Sequence, residues 1–264
     1  MFELKPQDYY KVANLLHKVE FNTYFAKSVV DNYVSGKIYT NSIENPTVFY
    51  IYHPYGMGLL LGDSNDTGFV ESFKNYCLNT HKQRTNPDWL QVYPLDWCGA
   101  IDRIKESTDS LIESYERVNF RFSVALYAAF RKTIDLSSYD IIQTNVEVYE
   151  TMPGTVVPRL FWNNATDFMH NAIGFTLLID QQPISTAFAS FRMDDILEIG
   201  IQTRDGLQGK GYSAYTCCRL IDYCIENGLT PLWSCKKDNI GSMKLAQKLG
   251  FEVSRTGPYY KIGL

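Results

Sequence analysis

The chain has 264 residues, which suits two modest domains of roughly 100–150 residues rather than one small domain. Hydrophobic residues make up 45% and charged residues 20%, which excludes a disordered chain, while 19 Tyr, 15 Phe and 4 Trp supply ample core volume. The formal net charge of -4 is the wrong sign for a non-specific nucleic-acid binder, so no nucleic-acid partner is expected.

Two helical stretches open the chain, about 6–18 and 23–34. Short strands follow at 37–42, 47–52 and 58–61, separated by the turn signals Glu44-Asn45-Pro46 and His53-Pro54-Tyr55-Gly56. A helix at about 67–81 and a strand at 89–93 come next. Pro94 ends that strand, and another helix runs to about 106. The stretch 109–135 reads equally as strand or helix between Phe120 and Phe130.

The second half opens on an expected strand at 140–149 and a helix at 156–171. A hairpin, 174–180 with 184–191, turns at Gln181-Gln182-Pro183, and a third strand spans 196–203. The helix that starts near Gly211 puts Ala214, Cys217, Cys218, Ile221, Cys224 and Ile225 on one face. Asn227-Gly228 stops it. A strand at 231–235 and a helix at 239–249, closed by Gly250, complete the series. Both halves read in the same order: helices, three strands, helix, strand, helix. That order suggests a divergent duplication with a boundary near 135–140.

The longest apolar run, Val124 to Phe130, is far short of the roughly 20 residues of a spanning helix, so no membrane partner is expected. The opening Met1 to Pro6 has no basic-then-apolar leader pattern, and the expected location is cytoplasmic. The six cysteines form no CxxC pair, so no metal site is expected; they read as buried reduced thiols.

The segment Glu198 to Ser213 carries the chemistry. It reads as a strand, then a turn with Gly206, Gly209 and Gly211, then a helix start. Glycines let the backbone approach an anion, and the first helical turn offers unsatisfied N–H groups at the positive end of the dipole. Together they make a phosphate cradle, although a plain tight strand-to-helix turn would look the same. A nucleotide P-loop is excluded, because no glycine lies five residues before Gly209. Gly209, Gly211 and Ala214 fit a dinucleotide fingerprint, but the next strand ends Trp233-Ser234-Cys235 with no carboxylate for a ribose.

Gln208-Gly209-Lys210-Gly211-Tyr212-Ser213 resembles the Q/R-x-x-G-x-G/A signature of the GNAT superfamily of acyl-CoA-dependent N-acyltransferases. Ser213 stands in for the usual Gly or Ala. Asn239, Ser242, Leu245, Lys248 and Gly250-Phe251 are similar to the superfamily's second motif. Phe161-Trp162, Asp167-Phe168, Gly174-Phe175, Glu198-Ile199-Gly200-Ile201-x-Thr203, Gly228-Leu229-Thr230-Pro231-x-Trp233-x-Cys235 and Lys248-Leu249-Gly250-Phe251 look like the zwittermicin A resistance-protein branch.

The resemblance implies an α+β fold: a central mixed, mostly antiparallel sheet flanked by helices in a GNAT domain at 139–264. An N-terminal α/β domain at 1–138 would be its degenerate repeat. It implies acetyl-CoA as cofactor, with the pyrophosphate on Leu207, Gln208, Gly209, Lys210, Gly211, Tyr212 and Ser213. The pantetheine would lie along Ile201 and Thr203, with Asn239 either touching CoA or only capping its helix. It implies N-acetylation of a small primary amine, an amino-containing antibiotic being one such acceptor, by direct attack. Glu198 is the expected base, with Asp194 and Asp195 as alternatives, and a backbone N–H near Ile201 the oxyanion donor. The usual acid position, seven residues after the Asn, is Ala246, so either the thiolate leaves without a dedicated acid or another tyrosine serves, with Tyr212, Tyr259 and Tyr260 as candidates and Tyr260 the expected one. The competing expectation is an acyl-CoA-binding regulatory protein with a decayed site. The chain is expected to act as a monomer or homodimer.

Overall fold

The computed structural model describes residues 1–108 and 111–264, so Asp109 and Ser110, the start of the ambiguous stretch 109–135, lie outside the described residues. The chain forms two compact units, Met1–Arg117 with Thr256–Leu264, and Val118–Arg255. Residues 118–138, read from sequence as part of the N-terminal half, thus belong to the second unit, and 256–264 belong to the first.

The first unit opens with β1 (Phe2–Glu3), a 3-10 segment at Pro6–Val12 and a single-turn α1 (Ala13–Leu16). The one long helix expected at 6–18 is therefore two short pieces. Then come α2 (Tyr24–Val30), β2 (Lys37–Thr40), β3 (Val48–His53), β4 (Met57–Gly62), α3 (Thr67–Cys77), β5 (Asp88–Tyr93), α4 (Trp97–Glu106) and β6 (Ile112–Phe122), whose residues up to Arg117 lie here. Strands β2, β3 and β4 are antiparallel neighbours. β5 runs parallel to β4, paired without interruption from Met57↔Trp89 to Leu61↔Tyr93. Phe69, Phe73 and Cys77 of α3 and Trp97, Ile101 and Ile104 of α4 form one core with Tyr50, Leu60, Leu90 and Val92. Every other residue of a strand faces one side, so Ile51, Leu59 and Gln91 line the opposite face, on which α2 packs.

The second unit contains α5 (Val124–Arg131), β7 (Asp140–Gln143), α6 (Val146–Thr151), α7 (Ala165–Asn171), β8 (Gly174–Ile179), β9 (Gln182–Met193), β10 (Ile196–Thr203), α8 (Tyr212–Glu226), β11 (Thr230–Leu232), β12 (Ser234–Lys236), α9 (Ile240–Lys248) and the first residues of β13 (Phe251–Ile262). Its sheet has the order β11-β10-β9-β8-β7. The β10–β11 pair is parallel, and the β9–β10, β8–β9 and β7–β8 pairs are antiparallel. Helix α8 buries Ala214, Cys217, Cys218, Leu220, Ile221 and Cys224, and packs on β8, β9 and β10. Ile225, expected on that face, is 45% exposed at the helix end.

Three further expectations are corrected. The strand at 140–149 stops at Gln143, because the Asn145 side chain accepts the Val148 N–H and caps α6. The helix at 156–171 is a 3-10 turn at Pro158–Leu160 followed by α7, capped by Asn164. The strand at 231–235 breaks at Trp233 into β11 and β12. The long strand β13 after Gly250 was not anticipated. Gly250, at φ 84, turns the chain where a Cβ would meet the Tyr127 backbone nitrogen at 2.5 Å.

Each unit, taken by itself, runs through short helices, three antiparallel strands, a helix, a parallel strand and a further helix. No described helix is long and apolar enough to cross a membrane.

Candidate functional site

Strand β10 positions the expected catalytic carboxylate. Glu198 pairs with Phe191 of β9, but Ile199 pairs with Ala189, so Ser190 is left over as a bulge. The Ser190 hydroxyl donates to the Glu198 carbonyl at 3.0 Å and holds the irregularity in place. Alternation puts Glu198, Gly200 and Gln202 on one face, opposite Phe191, Phe188 and Thr186. Phe161 packs edge-on against both Phe188 and Phe191, at 5.5 and 5.7 Å between ring centres. Glu198 is buried, 6% exposed, and its Oε1 accepts the Ser234 hydroxyl proton at 2.7 Å.

On its other side β10 is paired with β11 only from Ile196↔Thr230 to Glu198↔Leu232. Beyond Glu198 that edge has no strand partner among the described residues. Arg204 N–H bonds the Ile184 carbonyl at 2.8 Å, which places Gln202 and Gly200 in the same bonded phase toward β9. The main-chain groups of Ile201 and Thr203 therefore point to the open edge. The Thr203 carbonyl there accepts from the Gln202 and Gln208 side-chain amides, at 2.9 and 3.4 Å.

The turn at 204–211 follows at the strand's end. Gly206, Gly209 and Gly211 have φ of 78, 77 and 89°, and an added Cβ on any of them would point into open space. The positive φ, and not crowding, is what calls for glycine here. Gly211 is the N-cap of α8 and has no side chain to bond the first turn. Leu207 N–H bonds Arg204 and Ala214 N–H bonds Gly211, but among the described residues the N–H groups from Gln208 to Ser213 donate to no main-chain acceptor. A run of unsatisfied amides at the positive end of a 15-residue helix fits a phosphate-bearing group. Lys210 is exposed beside it. Tyr212 packs edge-on against Tyr139 at 5.6 Å.

Asn239 caps α9 by accepting the Ser242 N–H at 3.1 Å. Ala246 of that helix is fully buried. Asp194 and Asp195 are exposed in the β9–β10 turn, at the end of β10 away from the glycine turn. Tyr260 belongs to the first unit, where it is 5% exposed in the apolar core with Leu90 and Ile101. Burial and a hydrogen bond with Cys98 push its phenol up. Tyr259 is likewise buried in that unit, stacked on Trp89. The two serines that bracket Glu198 were not anticipated. Nor was Gln202, whose Oε1 accepts the Thr155 and Val156 N–H groups at 3.2 and 3.1 Å and ties the 154–156 loop to β10. No sequence signal marks the serines, since Ser234 and Ser190 lie 36 and 8 residues from Glu198 and reach it only through a strand break and a bulge.

In the first unit, the turn that corresponds in order lies between β4 and α3. There Asp66 accepts the Phe69 N–H at 2.8 Å and caps the helix, and Asp63 accepts the Asn65 N–H at 2.9 Å. The Phe69 N–H and the Asn41 side chain hold the Asp66 carboxyl below the usual range. Carboxylates occupy the place that an anion would need.

A family model described as GNAT acetyltransferase matches residues 13–260. The chain is 23% identical over 232 residues to an uncharacterized N-acetyltransferase of Bacillus subtilis, YdfB, covering 87% of this chain and 86% of that one. Among solved structures it is similar to a GCN5-related N-acetyltransferase-like protein from Streptococcus suis, with a TM-score of 0.75 at 20% identity over 97% and 98% of the two chains. It also resembles in fold a tandem GNAT protein from the clavulanic acid biosynthesis pathway, with a TM-score of 0.57 at 8% identity over 98% and 96%.

Proposed function

The chain belongs to the GNAT acetyltransferase family, and on that premise we propose that its second unit moves an acetyl group from acetyl-CoA to a primary amine of a small molecule, by direct attack within a ternary complex. The observation that carries this reading is the course of β10. The strand loses its β11 partner at Glu198 and ends at the turn of unsatisfied amides. From Glu198 to Thr203 the open edge measures about 16 Å at roughly 3.3 Å per residue. A buried carboxylate thus stands at one end of an unpaired edge and an anion cradle at the other.

Bound acetyl-CoA supplies the acetyl group in activated, thioester form. The N–H groups from Gln208 to Ser213 would hold its pyrophosphate, with Lys210 and Leu207 alongside. The edge at Ile201 and Thr203 would hold the pantetheine arm as an added strand, and Asn239 would border it while capping α9. Glu198 would take the proton that an ammonium must lose before its nitrogen can attack. No side chain is assigned the part of general acid, because a thiolate with an ordinary pKa of about 8.5 is a tolerable leaving group. Phe161, Phe188 and Phe191, all buried, back the face of the sheet that carries Glu198. The residue-level likeness to the zwittermicin A resistance-protein branch supports an amino-bearing antibiotic as one such acceptor.

Ala246, small and buried at the usual acid position, favours a second reading, an acyl-CoA-binding protein without turnover. Release of CoA thiol from acetyl-CoA against a panel of primary amines separates the two. Turnover supports the enzyme; a CoA-dependent melting shift with no turnover supports the binding protein.

A further inference from the structure

Glu198 sits, buried, where β10 leaves β11. The β11 ladder ends at its own rung, and the bulge on β9 lies beside it. A contact from outside the strand reaches its carboxylate. Ser234, the first residue of β12, donates its hydroxyl proton to Glu198 Oε1 at 2.7 Å. Ser234 stands in β12 because Trp233 breaks the strand. The Trp233 indole N–H is turned to the Ser242 hydroxyl at 3.0 Å, and its ring packs on Phe251. The break therefore has a packed cause.

We propose that Ser234 is a positioning residue for the transfer, holding the Glu198 carboxylate aimed at the acceptor's ammonium. This rests on Glu198 being the base. A hydroxyl donating to a carboxylate makes a charge-assisted bond, shorter and stronger than a neutral one. A second serine, Ser190, fixes the Glu198 main chain through its carbonyl, so backbone and side chain are each held by one hydroxyl.

The test compares Ser234→Ala, Ser234→Thr, Glu198→Gln and the Glu198→Gln/Ser234→Ala double variant. It uses the primary amine that the wild type acetylates fastest and, as a second nucleophile, water. Ser234→Ala is expected to lower kcat about tenfold or more, with the KM for acetyl-CoA and the CoA-dependent melting shift unchanged. Ser234→Thr, which keeps the hydroxyl, should recover most of the rate. The double variant should be no slower than Glu198→Gln, because a residue acting only through Glu198 has nothing left to act on. A wild-type rate in Ser234→Ala, an equal loss in the Thr variant, or losses that multiply in the double variant would each overturn the inference. If Glu198→Gln itself keeps the wild-type rate, or the wild type turns over neither nucleophile, the assignment of Glu198 fails and this inference with it.

Discussion

Glu198 faces Leu232 across the last rung of the parallel β10–β11 ladder. Up to that rung the sheet is closed; beyond it the main chain of β10 is open along one side. The proposed chemistry turns on that rung, since the carboxylate belongs to the residue at which the pairing ends.

Glu198→Gln keeps the size and removes the base. Turnover should fall by about 10²-fold or more near neutral pH, while the CoA-dependent melting shift stays as in the wild type. The deficit should narrow at high pH, where more of an amine with a pKa of about 10 is already neutral. A pH–rate series of both proteins checks this, and an unchanged rate at neutral pH removes Glu198 from the mechanism.

Gly211 has φ 89° and open space where a side chain would go. Gly211→Asp should abolish the CoA-dependent melting shift, because it puts a negative charge beside the amides. Gly211→Asn tolerates the left-handed backbone and carries no charge, so it should keep much of the shift. Equal shifts in the two variants would mean that no anion sits there.

Calorimetry should give one CoA per chain. In the first unit β4 and β5 stay paired from Met57↔Trp89 to Leu61↔Tyr93, leaving no open edge for a pantetheine arm, and Asp66 already occupies the helix N-terminus. A stoichiometry of two would make the chain a tandem of working sites.

His53 is fully buried in β3, with Nδ1 accepting the Tyr55 N–H at 3.0 Å, and burial lowers its pKa to about 3. The unfolded chain takes up this proton near pH 6.5, well before the folded chain can. The stability that His53 confers by staying neutral is thus present above pH 6.5 and is lost as pH falls toward 3, by roughly 4 kcal/mol across the window. His53→Asn keeps an acceptor and cannot titrate. Urea midpoints between pH 7 and pH 4 should fall less steeply in the variant than in the wild type; parallel curves would refute the assignment.

The repeated element order was legible in the sequence because it rests on strong local signals: alternating apolar runs, the Asn227-Gly228 stop, and the apolar stripe of α8. The glycine turn was legible because positive φ demands a residue type that shows in the sequence. What local pattern concealed was decided by pairing or by caps. Val146 and Val148 read as strand until the Asn145 side chain caps a helix there. Apolar content alone could not separate Ile112–Phe122, a strand, from Val124–Arg131, a helix; Ser123 between them accepts the Leu126 N–H and sets the change. Tyr260 was chosen from many tyrosines with no signal for where β13 leads. Ser234 and Ser190 bear on Glu198 through a strand break and a bulge, which no period predicts.

Strand β13 gives the chain an order of assembly. Its residues Tyr260 to Ile262 pair with Leu90 to Asp88, so β5 lies beside a partner made only after the whole of residues 118–255. A nascent chain that has just passed Arg117 carries the described helices of the first unit but leaves β5 with a bare edge on the side where β13 will pair. It must wait, with that edge open to other chains, while the entire second unit is translated. The first unit is begun before the second and finished after it.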